Sequence, residues 1–243
     1  MEVNMITTLQ DFIREYSQIC SRGWIRTHRA GPTGIGKTLE DLLGIPENNI
    51  DGPDFGEYEL KSCRLESNSM LTMFTLAPQP ARSNTYLREK YGYSSNAYDN
   101  NEKVLHSTLS ANRFTPIAST GEQLKIHCAN DRISIQSTRC IENVFWSRET
   151  LRAAFERKYR GSFVYAKAHS RGSGSNEEFQ FCEAYRISGF NYDAMIRLLE
   201  AGMIYIDLRI GQYPDGRTHD HGTGFRIREV DQASLFQVCE RIV

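Results

Sequence analysis

The sequence predicts an α/β or α+β fold, and three observations carry that reading. Apolar residues recur at helical spacing near the N-terminus and again in the segment that ends at Leu43. Other short segments alternate with period two, as strands with one buried face do. The two kinds are mixed along the whole chain rather than grouped.

Taken in order, residues 5–20 place Ile6, Leu9, Phe12, Ile13, Tyr16 and Ile19 on one helical stripe. Residues 36–43 read as a short helix after a glycine-rich turn. EYELKSC (57–63) and SMLTMFTL (69–76) alternate as strands, and the Ser/Asn/Tyr/Asp-rich run 92–102 reads as a loop. Strands are expected at 123–128 and 132–137, then a helix at 147–159. Two more strands, 162–168 and 178–187, flank the turn SRGSGS. Asn191 is placed to cap a helix ending near Gly202, and the strand MIYIDLRI (203–210) follows at once.

At 243 residues the chain can form one large domain or two lobes. Hydrophobic content of 40% and charged content of 24% are those of a soluble globular protein, and no run suits a membrane helix. The start MEVNMITTLQ lacks the basic-then-apolar pattern of a signal peptide, so a cytoplasmic location is expected. The six cysteines are scattered with no C-x-x-C pair and read as reduced thiols. A net charge of −1 excludes a uniformly basic protein but not a locally basic groove. The clusters Arg22/Arg26/His28/Arg29 and Arg148/Arg152/Arg157/Lys158/Arg160 read individually as solvated faces.

The stretch GPTGIGKT (31–38) fits the phosphate-binding loop pattern G-x-x-x-x-G-K-[ST] without a mismatch. Such a loop follows a buried, near-continuously apolar strand. RGWIRTHRA precedes Gly31 here, charged and broken. The following helix is credible, with Ile35, Leu39, Leu42 and Leu43 on one face, Lys37 opposite and Glu40 at the edge of the stripe. The run MIYID, ending at Asp207, keeps a nucleotide-hydrolase reading open in second place.

Just downstream stands PDFGEYELK (53–61). In a strand, Glu59 and Lys61 share a face while Leu60 points to the core, and a turn can bring the Asp54 carboxylate back toward Glu59. Two carboxylates and a lysine on one surface suit Mg²⁺-assisted phosphodiester hydrolysis. The plain alternative, a strand with a surface Glu–Lys pair, is favoured by spacing alone.

This P-D-x4-E-x-K element is the signature of the PD-(D/E)xK nuclease superfamily, and its neighbours narrow the resemblance. TGIGKTLEDLL (33–43), LTMFT with Pro78, NTYLREKYG (84–92), LH-x-T (105–108), NR (112–113), DLRIG (207–211) and THDHGTGFRI (218–227) follow in one order. Together they resemble the MvaI/BcnI family of type II restriction endonucleases, which is similar in turn to the mismatch-repair nicking enzyme MutH. The HDHG form is closer to the MvaI branch, and the resemblance is weak between about 115 and 200.

The resemblance implies a mixed β-sheet flanked by helices and two lobes around a DNA cleft, with a catalytic lobe at 1–125 and a DNA-recognition lobe at 126–243. It implies Asp54, Glu59 and Lys61 as catalytic residues, with Mg²⁺ on Asp54 and Glu59. GIGKT becomes the turn into a helix carrying a further acidic residue, Glu40, for which a local ion pair is the competing reading. Double-stranded DNA is the expected partner, with no nucleotide cofactor and no membrane. The protein is expected to be a monomer that cuts short CCNGG-type sites to 5′-phosphate and 3′-hydroxyl ends, and to work beside a cognate methyltransferase.

On the strand 203–210, Tyr205, Asp207 and Arg209 share the polar face. Arg pairs bidentately with guanine and Asp accepts from cytosine N4, so a G·C-rich site suits both. The loop GRTHDHG carries a His-x-His pair without further zinc ligands at a usual spacing. By resemblance, Asp207, Arg209, His219, Asp220, His221 and Arg226 are the expected DNA-binding residues. A MutH-like nickase and a non-catalytic DNA-binding module remain alternatives.

Overall fold

A computed structural model describes residues 6–46, 53–65, 70–94, 102–159, 161–220 and 222–243. Helix α1 (Leu9–Ser21) leads to the short strand β1 (Ile25–Arg26), helix α2 (Gly34–Leu43) and strands β2 (Tyr58–Arg64) and β3 (Leu71–Thr75). Helix α3 (Ser83–Tyr91) precedes β4 (Tyr93–Ser94), β5 (Lys103–Leu109), β6 (Thr115–Pro116), β7 (Gln123–Cys128), β8 (Arg132–Ser137) and β9 (Ile141–Ser147). Then come α4 (Arg148–Lys158), β10 (Ser162–Arg171), β11 (Glu178–Ser188), α5 (Tyr192–Glu200) and β12 (Ile204–Gln212). Strands β13 (Thr218–Asp220) and β14 (Gly224–Ile227), helix α6 (Glu229–Gln232) and β15 (Val238–Arg241) complete the chain. Among the described residues no helix is long and apolar enough to cross a membrane.

The chain forms two compact units, one of residues 1–68, 159–190 and 236–243, the other of residues 69–158 and 191–235. They interleave, and so differ from the sequential division at 125/126. The reason is a parallel pairing: β10 lies beside β2 with Ser162 opposite Tyr58 and Ala168 opposite Arg64. A strand some hundred residues downstream therefore belongs to the sheet of the ELK strand, which alternation within one strand does not reveal.

In the first unit the sheet runs β1-β11-β10-β2, with β15 also on β11. One face is covered by α1 and α2 through Phe12, Tyr16, Leu39 and Leu43 against Leu60 and Val164. The other carries Phe163, Tyr165 and Ile187 with Tyr159, Phe190 and Phe236. Helix α1 begins at Leu9, not residue 5, because Thr8 caps it: its hydroxyl accepts the Asp11 N–H while the Asp11 carboxylate accepts the Thr8 N–H. The β1 strand before the glycine turn has two residues and pairs antiparallel at the sheet edge. The central parallel strand that a nucleotide-binding loop requires is not what precedes Gly31.

The second unit holds a sheet ordered β3-β14-β12-β5-β4, with β13 also on β12, and a four-stranded sheet β6-β7-β8-β9. Phe74 stacks on Phe225 at 4.7 Å, and the fully buried Trp146 meets Phe225 edge-on at 5.7 Å. Strands 123–128 and 132–137 and the Asn191 cap stand where the sequence predicts them, with Asn191 accepting the Ala194 N–H. Strand β9 was not predicted. Its inward positions are Glu142, Val144 and Trp146, and a charged inward residue hides the period. Glu142 is tolerated there because Tyr86, Tyr91, Lys90 and Cys140 all donate to it.

Candidate active site and DNA-reading surface

The turn at residues 55–58 folds Asp54 back onto the ELK strand. Phe55 and Tyr58 exchange backbone hydrogen bonds, and the Asp54 N–H donates to the Tyr58 carbonyl at 2.9 Å. Gly56 sits at φ +52 where an added Cβ would lie 2.5 Å from the Thr7 carbonyl oxygen, so the turn needs glycine. As a result Asp54 Oδ2 accepts the Leu60 N–H at 2.6 Å. Leu60 points into the core at 7% exposure, so Glu59 and Lys61 on either side face the other way. Lys61 Nζ donates to Glu59 Oε1 at 2.5 Å. The structure thus brings Asp54, Glu59 and Lys61 to one end of β2, which is an edge strand of its sheet.

Glu40 stands on α2, which packs against β2. A Cβ on Gly36 would be 3.9 Å from Glu40 Oε1 and 3.6 Å from Ser62 Oγ, so the Glu40 carboxylate lies close to β2 near Ser62. Lys37 pairs with Asp41 at 2.9 Å, and Asp41 also meets His28 Nδ1 at 2.9 Å. The hydrogen bond from Lys37 is the main reason the Asp41 carboxyl lies below the usual carboxylate range. Burial pushes the Tyr159 hydroxyl well above the usual range, and the nearby Glu59 charge adds to it, giving Glu59 a low-polarity neighbour.

Among the described residues no three His, Cys, Asp or Glu side chains cluster as a metal cage. Asp54 and Glu59 are a pair of hard oxygen donors on one strand end. Such a pair fits a small divalent cation that keeps most of its own waters.

In the second unit, β12 lies between β14 and β5, with Asp207 opposite Thr108 and Arg209 opposite His106. Asp207 Oδ1 accepts from Thr108 Oγ1 at 2.8 Å, while Oδ2 accepts from Arg209 Nε at 2.8 Å and Arg226 Nη1 at 2.9 Å. The buried Asp207 carboxylate holds two guanidinium groups, one of which, Arg226, also donates to the Met70 carbonyl. His106, Thr108, Asp207 and Arg209 line a concavity of about 500 Å³. His219 packs on Tyr213 with centroids 4.5 Å apart, and Asp220 accepts from Asn84 and from the Gly222 N–H. His221 lies outside the described residues. The sequence reading missed the partners Thr108 and Asn84. Both sit in motifs it quoted, but only strand register and helix docking show what they touch.

The MvaI/BcnI restriction endonuclease family model matches residues 13–236. Among solved structures, a complex of restriction endonuclease MvaI with its cognate DNA substrate is 32% identical with a TM-score of 0.83, over 97% of this chain and 98% of that one. MvaI in the absence of DNA is 31% identical with a TM-score of 0.60, over 97% of each chain. No curated protein sequence matches. With the family pattern spanning nearly the whole chain and the ELK strand in place, the protein belongs to the MvaI/BcnI restriction endonuclease family and is a type II site-specific nuclease.

Proposed function

We propose that this nuclease hydrolyses phosphodiester bonds of double-stranded DNA at a short CCNGG-type site, with Mg²⁺ as cofactor, giving 5′-phosphate ends. The observation that carries the chemistry is the Asp54–Leu60 hydrogen bond, which sets a second carboxylate beside the Glu59–Lys61 pair. Asp54 and Glu59 would hold the cation. When bound, the cation would supply Lewis-acid chemistry and a water of lowered pKa at this site. Lys61 keeps its ammonium at the same strand end, where it neutralises charge building on the phosphate. Glu40 borders the strand from the helix side and acts as a supporting acid.

The related MvaI structure holds cognate DNA, and we carry that partner to this chain. Arg209 and Arg226 suit guanine O6/N7, and Asp220 suits cytosine N4. His219, and by resemblance His221, belong to the same reading segment. Asp207 takes part by fixing the two arginines. The protein acts as a cytoplasmic monomer that cuts the two strands in turn, alongside a methyltransferase that protects the same site.

The test is incubation with plasmid DNA and Mg²⁺, without ATP, beside Asp54→Ala. Discrete fragments from the wild type alone, with 5′-phosphates at a mapped G·C-rich site, are expected. ATP turnover with intact DNA sinks the proposal, and nicked circles as the end product sink its two-strand part.

A further inference from the structure

We propose that helix α3, the NTYLREKYG segment, is a clamp that sets the base-reading strand β13, and that Asn84 is the positioning residue for Asp220. The inference rests on the reading of Asp220 as a base contact. Three neighbouring side chains of α3 meet three successive points of the β12–β13 hairpin. Arg88 directs both terminal guanidinium nitrogens at the Gly216 carbonyl, each at 3.4 Å. Thr85 Oγ1 meets Thr218 Oγ1 at 2.8 Å. Asn84 Nδ2 donates to Asp220 Oδ2 at 2.6 Å. Positions 84, 85 and 88 lie together on one side of a helix, so the contacts form a row.

The chemistry of the row favours positioning over plain packing. Arg88 is 5% exposed, and its Nε has no hydrogen-bond partner among the described residues. Beyond the Gly216 carbonyl, Arg88 has among the described residues only a 4.0 Å ion pair to the exposed Glu89, and burying a cation on so few partners costs stability, which a helix serving only to fill space would not carry. Asn84 is neutral, so it orients the Asp220 carboxylate without cancelling its charge. Asp220 Oδ1 is held separately by the Gly222 N–H at 2.8 Å, where Gly222 has φ +90. Each Asp220 oxygen is thus fixed by a single donor, which leaves acceptor capacity on both for a cytosine N4 amino group. Asp207 is held in a similar way by Thr108 from the neighbouring strand.

The experiment measures cleavage of duplexes carrying the mapped site and every single-base-pair variant of it, for wild type, Asp220→Ala, Asn84→Ala and the double variant. Asp220→Ala is expected to lose on the order of tenfold or more of the discrimination at one base pair. Asn84→Ala is expected to lose at least severalfold at that same base pair and nowhere else. The double variant should be no worse than Asp220→Ala. Asn84→Leu keeps about the side-chain volume but cannot donate and adds no charge, and should show the same confined loss, which covers a folding failure of the alanine variant. Even losses at all positions, or additive losses in the double variant, overturn the proposal. Asp220→Ala leaving every base pair equally discriminated overturns the reading of Asp220 itself, whatever Asn84 does.

Discussion

Asp207→Asn removes the charge that holds two arginines together, and its cost can be worked from the structure. The Arg209 side chain is 52% exposed, so its pair with Asp207 contributes at most about 1 kcal/mol. Arg226 and Asp207 are 18% and 10% exposed, and breaking such a pair leaves a largely buried guanidinium uncompensated, a loss of about 3–5 kcal/mol. Asn can still accept from Thr108, so that bond survives. The sum is dominated by Arg226 and corresponds to a drop of roughly 6–20 °C in the melting of this unit. Trp146 reports it, because Phe225 touches Trp146 and pairs with Ile206 next to Asp207. A Trp24→Phe background leaves Trp146 as the sole tryptophan. Urea titration followed by its fluorescence should show Asp207→Asn destabilised by about 3 kcal/mol or more. Adding Arg226→Met should restore most of that stability while specific cleavage stays lost. A shift below about 1 kcal/mol, or no recovery in the double variant, refutes the claim that Asp207 is the counter-ion of Arg226.

Three further outcomes are expected. Burial alone would raise the Glu142 carboxyl, but hydrogen bonds from Tyr86, Tyr91, Lys90 and Cys140 more than offset it and hold it at about 2. The stabilisation, on the order of 3 kcal/mol, is complete above the usual carboxylate range and is lost as pH falls toward 2. Acid titration of Glu142→Gln should therefore show a flatter stability profile between those limits, and an unchanged profile would refute the assignment. Gly36→Ala should raise the melting temperature, since helical Gly→Ala gains about 0.5–1 kcal/mol and the new Cβ meets only ordinary contacts near Ser62 and Glu40. Loss of DNA cleavage in that variant would show that a ligand needs the open side of Gly36. Arg64→Met should destabilise the first unit by about 3–5 kcal/mol by stranding Glu177, which Arg64 grips at 2.6 and 2.9 Å. Thermal melting checks it, and a near-neutral effect would mean that the pair is replaceable.

What was legible in the sequence follows the range of the interactions. Strand β2 and its ELK face were readable because alternation and the turn before it are local, and the Asp54–Leu60 bond spans six residues. Helix α5 was readable from the Asn191 cap at its start and Gly202 just past its end. The interleaving of the units was not, because it depends on β2 and β10 finding each other in parallel across the whole of residues 69–158. The same limit applies to the reading surface. Asp207 and Arg209 were visible as neighbours on one strand face, but Thr108 and Arg226 reach Asp207 from two other strands. Asp207 read alone is a base acceptor. In its register it is a buried counter-ion.

The glycine-rich GPTGIGKT shows how polarity separates a motif from its look-alike. A phosphate cradle aims backbone N–H groups at an anion. Here the turn offers carbonyls instead: Gly31 and Pro32 both accept from the Arg64 guanidinium, at 3.2 and 3.1 Å. Two of its donors are used locally, the Gly34 N–H on the Gly31 carbonyl and the Lys37 N–H on the Thr33 carbonyl. Pro32 has no N–H to give. The glycines serve close approach: a Cβ on Gly34 would lie 2.3 Å from the Arg29 carbonyl oxygen and 2.7 Å from Thr27 Oγ1. Lys37 is held by Asp41, four residues along the same helix. Two carbonyls of the turn are therefore committed to an arginine from the ELK strand. The turn fastens α2, and with it Glu40, to the strand that carries the candidate catalytic residues.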